Sequence, residues 1–259
     1  MTSTELYKKI STPPNLLEND NFRIKVAVSE QELILAQKLR YEVFNAARGR
    51  DACGIPRLDS DHFDVHCLHL LVEEKNHGQI VGTYRLQSGE AAAKGIGFYS
   101  EHEFTTEGLQ EIAGDALEAG RSCVSEKYRN GSVLAMLWAG IAEAMNRSQV
   151  KYLFGCVSVD TLDAAIGWGL YQRFVEEGLI SEKMKARPRP EYILPPFDGY
   201  YPETIPLPPL LKGYLRLGSK ICGEPALDEE FGSIDFLMLL DTADVPERFR
   251  RHFKFGQHS

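Results

Sequence analysis

A strand bearing two charges and a glycine turn hold the first chemistry visible in the chain. A short apolar strand over 117–124 carries Glu118 and Arg121, and the polar turn Arg129-Asn130-Gly131 leads into an almost wholly apolar helix over 133–145. A second buried strand over 152–159 closes a β-α-β crossover. A helix start leaves backbone N–H groups unpaired and carries a partial positive charge, which suits a phosphate or pyrophosphate. Arg-Asn-Gly-Ser-Val-Leu has one glycine where stronger phosphate loops have two or three, and no Gly-Lys-Ser/Thr follows. An ordinary strand-to-helix turn accounts for it equally well.

Further charge lies upstream. Asp61 and Asp64 offer negative charge to a cationic ligand, or form a solvated acidic loop. Arg40, Arg85 and Arg121 each fall on a regular element, and a partly buried arginine needs an anion. That anion is either Asp61, Asp64 or Glu118, or the carboxylate of a substrate. His62, His66, Cys67 and His69 crowd the same stretch and raise a metal reading. His66 and His69 lie in a strand pattern whose i, i+3 side chains diverge, so the expectation is hydrogen-bonded core histidines and no metal.

These residues need elements to position them. The first 21 residues are polar and end in Pro-Pro and Glu-Asn-Asp-Asn, which predicts an arm or surface cap. A strand over 22–28 precedes a helix capped by Ser29, with Glu32 completing a capping box and Leu33, Ala36, Leu39, Val43 and Phe44 at helical spacing. Residues 47–64 read as a charged loop, 67–73 and 79–86 as a hairpin, and 87–97 as a small flexible stretch. After the crossover, Thr161 is expected to cap a helix ending near Glu177, with Gly178 beyond it. Residues 188–209 hold eight of the thirteen prolines and cannot be helix or central strand, so they should wrap over the core. A helix-like segment over 209–221 and a strand over 234–240 finish the chain. The expectation is a single α/β domain over 22–259 with a mixed sheet and an embellished third near 185–230.

Composition narrows the classes. Apolar residues make up 43% of 259, ample for a core, and the formal charge of −8 argues against a general nucleic-acid binder. No apolar run approaches ~20 residues and no secretory signal is evident. Cys53, Cys67, Cys123, Cys156 and Cys222 are scattered without a C-x-x-C pair, as expected of a reduced, cytoplasmic protein.

The ordered set Arg40-x-x-x-Phe44, Asp61-x-x-Asp64, Arg85 and Glu118-x-x-Arg121 resembles the acyl-homoserine-lactone synthases, within the superfamily of GCN5-related N-acetyltransferases (GNAT). The longer wording LRYEVF, GTYRL, FYSEHEF, LEAGRSCV, YRNGSVLAMLW and LFGCVS is more similar to the ornithine N-acyltransferases of bacterial ornithine-lipid synthesis, some of which carry a hemolysin label. The C-terminal PPLLKGYLRLGSKICGEPALDEEFGSIDFLMLL also resembles that group, and signal synthases usually end earlier.

The resemblance implies a GNAT-like fold. It also implies transfer of a fatty acyl chain, often 3-hydroxylated, from the phosphopantetheine thioester of acyl carrier protein to an amino-acid α-amine. No permanent cofactor is implied; the acyl-phosphopantetheine, on carrier or coenzyme A, is a co-substrate. A free α-amine titrates near roughly 8 and must lose a proton before it attacks. Glu118 is the expected acceptor of that proton, or else a paired structural carboxylate. Arg40, Phe44, Asp61, Asp64, Arg85 and Arg121 are the expected substrate-binding set. Val124, Arg129, Asn130, Gly131 and Ser132 are expected to hold the phosphopantetheine, with backbone N–H groups of the Glu118 strand for the oxyanion. Arg248, Arg250, Arg251 and Lys254, or Lys183, Lys185, Arg187 and Arg189, could dock the acidic carrier or an inner-membrane surface, or simply solubilise the protein. Phe98, Tyr99, Phe104, Trp138 and Trp168 could wall an acyl trench or serve as core. Signal synthesis and non-catalytic carrier or lipid binding remain alternatives. Glycerolipid O-acyltransfer is set aside, because no histidine has aspartate five residues later.

Overall fold

The computed structural model describes residues 3–48, 58–202 and 204–255; residues 49–57 of the charged loop, with Cys53, lie outside it. In chain order the elements are α1 (Ser3–Ser11), β1 (Asn15–Glu18), β2 (Phe22–Val26), α2 (Glu30–Arg48), β3 (Leu68–Glu74), β4 (Gln79–Ser88), α3 (Gly89–Lys94) and β5 (Phe104–Glu107). Then come α4 (Leu109–Ile112), β6 (Ala116–Val124), α5 (Ser132–Ser148), β7 (Tyr152–Val159), α6 (Ala164–Glu176) and β8 (Lys185–Pro188). The chain closes with α7 (Pro209–Arg216), β9 (Lys220–Ile221), β10 (Ala226–Asp228), β11 (Ser233–Asp241) and α8 (Glu247–Phe253). By its contacts the chain divides into two compact units.

The first unit comprises Met1–Ile96, Ala119–Val150 and Arg248–Ser259. Its strands run β1-β2-β3-β4, antiparallel, with the later residues of β6 next to β4. Helix α2 starts as its capping residues require: Ser29 Oγ accepts the Glu32 N–H at 3.3 Å, and the Glu32 carboxylate accepts the Val28 N–H at 2.7 Å. Its buried Ala36 and Leu39 join Leu71, Ile80 and Cys123, with Val43 and Phe44 packed against them. On the strands, α5 comes close enough that a Cβ at Gly140 would lie 2.2 Å from the Ile24 side chain. The expected N-terminal arm is instead helix α1 and edge strand β1. Leu6 and Ile10 lie one turn apart and both are buried, so a polar composition conceals a one-sided apolar stripe. The stretch expected to be small and flexible forms α3, because Ser88 Oγ accepts the Ala91 N–H.

The second unit comprises Gly97–Glu118 and Lys151–Glu247. The first residues of β6 run parallel to β7, β7 pairs antiparallel with β11, and β11 pairs with β10 and β9. A two-stranded sheet, β5 with β8, stands apart. Helix α6 packs Phe174 edge-on to Phe236. Its cap is Asp163, which accepts the Ala165 N–H, and the Thr161 hydroxyl two residues earlier accepts the Asp163 N–H. Gly178 ends that segment with φ +67°. The proline-rich stretch wraps α6 as expected. Leu194 and Ile205 reach so close to Gly167 and Gly169 that a Cβ at either would sit 2.6–2.7 Å from them.

Candidate active site

Strand β6 presents the candidate chemistry in sequence: Glu118, Gly120, then Arg121. Glu118 is 5% exposed. One carboxylate oxygen accepts the Tyr99 N–H and the other the Ser100 N–H, both at 2.7 Å. These donors open the 3₁₀ turn Tyr99–His102, whose unpaired N–H groups Glu118 satisfies. The parallel register of β6 with β7 ends at this residue: Ala116, Leu117 and Glu118 face Tyr152, Leu153 and Phe154.

Three residues on, Arg121 has φ +54°, a left-handed conformation that a non-glycine residue rarely adopts within a strand. Such a conformation costs about 1–3 kcal/mol and persists where surrounding contacts hold it. Here Nη2 lies 3.0 Å from Asp61 and Nε 3.6 Å from Asp59. Gly120 beside it has open space where a Cβ would project.

The rest of the predicted substrate set forms one ion network in the first unit. Arg40, with no exposed surface, holds Asp64 through both guanidinium ends at 2.7 and 3.0 Å. Its Nε lies 2.9 Å from Asp59, whose carbonyl also accepts from Nη2. Arg85 bridges Asp61 at 2.6 Å and Asp64 at 2.9 Å and lies over the Phe63 ring. Gln37 donates to Asp64, and His69 Nε2 bonds the Asp64 carbonyl at 3.0 Å. Burial alone would raise the Asp64 carboxyl, but Arg40, Gln37 and Arg85 hold it well below the usual carboxylate range. Asp61 is lowered the same way, burial being overcome by Arg85 and Arg121. Burial depresses the His69 imidazole, so this is a neutral core histidine.

Three arginines thus meet three aspartates inside the protein. Arg40, Asp64 and Arg85, expected against substrate, are at most 4% exposed within this network. Asp61 and Arg121, with side chains 18% and 17% exposed, are its outward members. Phe44 packs on the α2 core. Sequence reasoning missed Asp59 and Gln37, although Asp59 stands two residues before Asp61; it also missed that Tyr99 and Ser100 N–H groups would hold Glu118.

The predicted phosphopantetheine turn has the form of a helix start. Gly131 has φ +93°, the first backbone bond back to it is from Ala135, and Asn130 Oδ1 already takes the Ser132 N–H. Arg129 folds back to the Val124 carbonyl at 3.2 Å. On α8, Arg248 and Arg251 are exposed and Arg250 half-buried, and Lys254 just beyond the helix is exposed. In the alternative basic cluster, Lys183 pairs with Asp241 and Arg189 donates to the Glu101 carbonyl. Phe98, Phe104 and Trp138 are buried, Phe98 edge-on to Phe154, while Trp168 donates to the Pro195 carbonyl.

A mixed sheet with flanking helices and a left-handed residue in its central strand β6 is the frame of the GNAT class, and a family model described as an acetyltransferase (GNAT) domain matches residues 39–139. The chain is 32% identical to an L-ornithine N(alpha)-acyltransferase of Brucella abortus (strain 2308), over 90% of this chain and 89% of that protein. It is 31% identical to an L-ornithine N(alpha)-acyltransferase of Rhizobium meliloti (strain 1021), over 90% and 84%. A solved CoA-dependent acyl-homoserine lactone synthase, MesI, shares the fold, with TM-score 0.50, 15% identity and 91% and 97% coverage. The chain belongs to the L-ornithine N(alpha)-acyltransferase family and is an N-acyltransferase.

Proposed function

We propose that this protein moves a (3-hydroxy)fatty acyl chain from acyl carrier protein to the α-amine of L-ornithine, giving lyso-ornithine lipid. The near-full-length similarity to proteins named for that acceptor supports the substrate. The observation that carries the mechanism is Glu118, buried and oriented by two N–H donors at the end of the β6–β7 register. In this reading the ornithine nitrogen gives up its proton to Glu118, directly or through water, and attacks the thioester carbonyl. Backbone N–H groups at the Gly120–Arg121 bulge receive the oxyanion. Collapse of the tetrahedral adduct forms the amide and breaks the C–S bond, and the departing phosphopantetheine sulfur takes the proton.

The ion network has a positioning role: Asp61 and Asp59 hold Arg121 in its left-handed conformation, which keeps the bulge shaped. The α5 N-terminus with Val124, Arg129, Asn130, Gly131 and Ser132 receives the phosphopantetheine. Arg248, Arg250, Arg251 and Lys254 meet the acidic carrier. No helix among the described residues is long and apolar enough to cross a membrane, and the amphiphilic product would leave by peripheral contact with the inner membrane. Purified protein offered acyl-carrier and acyl-coenzyme A donors with a panel of amino acids, its products read by mass spectrometry, tests the whole reading. Failure to acylate ornithine with either donor refutes it.

A further inference from the structure

A second cluster of charge lies in the second unit, and the reaction above does not use it. Glu103, Asp228 and Asp235 each place a carboxylate oxygen within 4.8 Å of the others. All are at most 8% exposed. Among the described residues no lysine, arginine or histidine forms an ion pair with any of the three. Carboxylates buried without compensation are costly, and the Asp59–Asp61–Asp64 group shows how this protein normally neutralises them. Independently, Glu103 Oε2 is buried with no hydrogen-bond partner. Burial, with repulsion from Asp235 and Asp228, drives the Glu103 carboxyl well above its usual range, and burial pushes Asp235 up to about 6. Such a cluster suits a cationic ligand.

Its place relative to Glu118 defines that cation. Glu118 grips the first N–H groups of the 3₁₀ turn Tyr99–His102, and Glu103 is the residue that ends the turn. At ~2 Å rise per residue, Tyr99 and Glu103 are about 8 Å apart. The Cys156 thiol, pushed up first by burial, also feels the negative charge of Glu103, Asp235 and Glu118 together. An α,δ-diamino acid separates its two nitrogens by about 6 Å when extended, from ordinary bond lengths. That span is of the same order as the turn between the N–H groups that Glu118 holds and Glu103.

We infer that Glu103, Asp228 and Asp235 bind the side-chain ammonium of the acceptor amino acid, an inference that rests on the α-amine reading above. An ammonium has three N–H donors for three carboxylates. A divalent metal fits less well, because it seeks six or more oxygens. Asp228 Oδ1 already accepts the Phe231 N–H at 2.7 Å, and Ser233 donates to Asp235.

The test compares L-ornithine with L-norvaline, which has the same carbon chain without the ammonium, in parent, Glu103→Gln, Asp235→Asn and Asp228→Asn proteins. Binding is read by calorimetry, and transfer by kcat/KM at saturating donor. Each variant should lower the preference for ornithine by about 10- to 100-fold, the worth of a charged hydrogen bond. Removing one of three repelling charges should leave each variant folded, with a melting temperature at or above that of the parent. Folded variants that keep the parent's preference overturn the inference. So does parent protein that binds ornithine no better than norvaline, or equimolar uptake of Mg²⁺, Ca²⁺ or Mn²⁺ that these substitutions abolish. Ornithine bound through the triad but never acylated would instead sink the proposed activity while the cation site stands.

Discussion

Replacing Glu118 by glutamine puts the proposed chemistry at risk most directly, and its structural side effect can be calculated. The Tyr99 and Ser100 N–H groups both point at the carboxylate from 2.7 Å. A glutamine offers them one oxygen and one NH₂, so one N–H loses its acceptor and faces another donor. That costs about 1–3 kcal/mol, against the 5–15 kcal/mol that holds a typical protein folded. Even the least favourable combination leaves about 2 kcal/mol, which keeps roughly 97% of the molecules folded at 25 °C. The melting temperature should fall by about 2–12 °C. Global unfolding therefore lowers the rate by only a few per cent, whereas loss of a general base lowers kcat by ~10²-fold or more, about 2.7 kcal/mol of barrier. Steady-state kinetics with acyl-carrier donor and ornithine, beside thermal melts of the same preparations, separate the two effects. Parity of kcat between Glu118→Gln and the parent would refute the base assignment. A loss confined to KM would leave Glu118 as the anchor of the Tyr99–His102 turn.

Other expectations rest on different parts of the fold. Asp64→Asn leaves Arg40 buried with one anion fewer and should cost about 3–5 kcal/mol in urea unfolding. Because Asp61 and Asp64 have folded pKa values below their unfolded ones of roughly 3.9, their stabilisation is complete above that pH and is lost as pH falls through the folded values. The parent should therefore lose stability steeply below about pH 4, and Asp64→Asn less steeply; parallel acid curves would contradict this. Gly120→Ala adds a methyl group that meets no protein atom, so melting should move by less than ~1 kcal/mol while kcat/KM for the thioester falls. Unchanged kinetics would take Gly120 out of the site. Reversing charge at Arg248, Arg250 and Arg251 should raise KM for the carrier and flatten its salt dependence, and an unchanged KM would point to the Lys183–Arg189 cluster instead.

Much of the scaffold was legible because local rules governed it. The Ser29–Glu32 cap, the β3–β4 hairpin, the crossover from β6 through α5 to β7, and the glycine after α6 all follow from patterns within a few residues. The errors arose where distant packing decided. Helix α1 looked polar because only Leu6 and Ile10 mark its buried stripe, and two residues make a weak period.

The candidate site divides the same way. Residue types alone marked Arg40, Arg85, Glu118 and Arg121 on regular elements and Asp61 and Asp64 in a charged loop as one candidate set, and motif wording placed the chain in its family. Only the tertiary structure decided the pairing. It matched the arginines to Asp59, Asp61 and Asp64, oriented Glu118 with two backbone N–H groups from a turn nineteen and eighteen residues away, and bent Arg121 to φ +54°. It also gathered Glu103 with Asp228 and Asp235, more than a hundred residues further along the sequence, around one point. The physical reason is that charge and polarity belong to a residue, whereas burial and partnership belong to the space that distant strands enclose together.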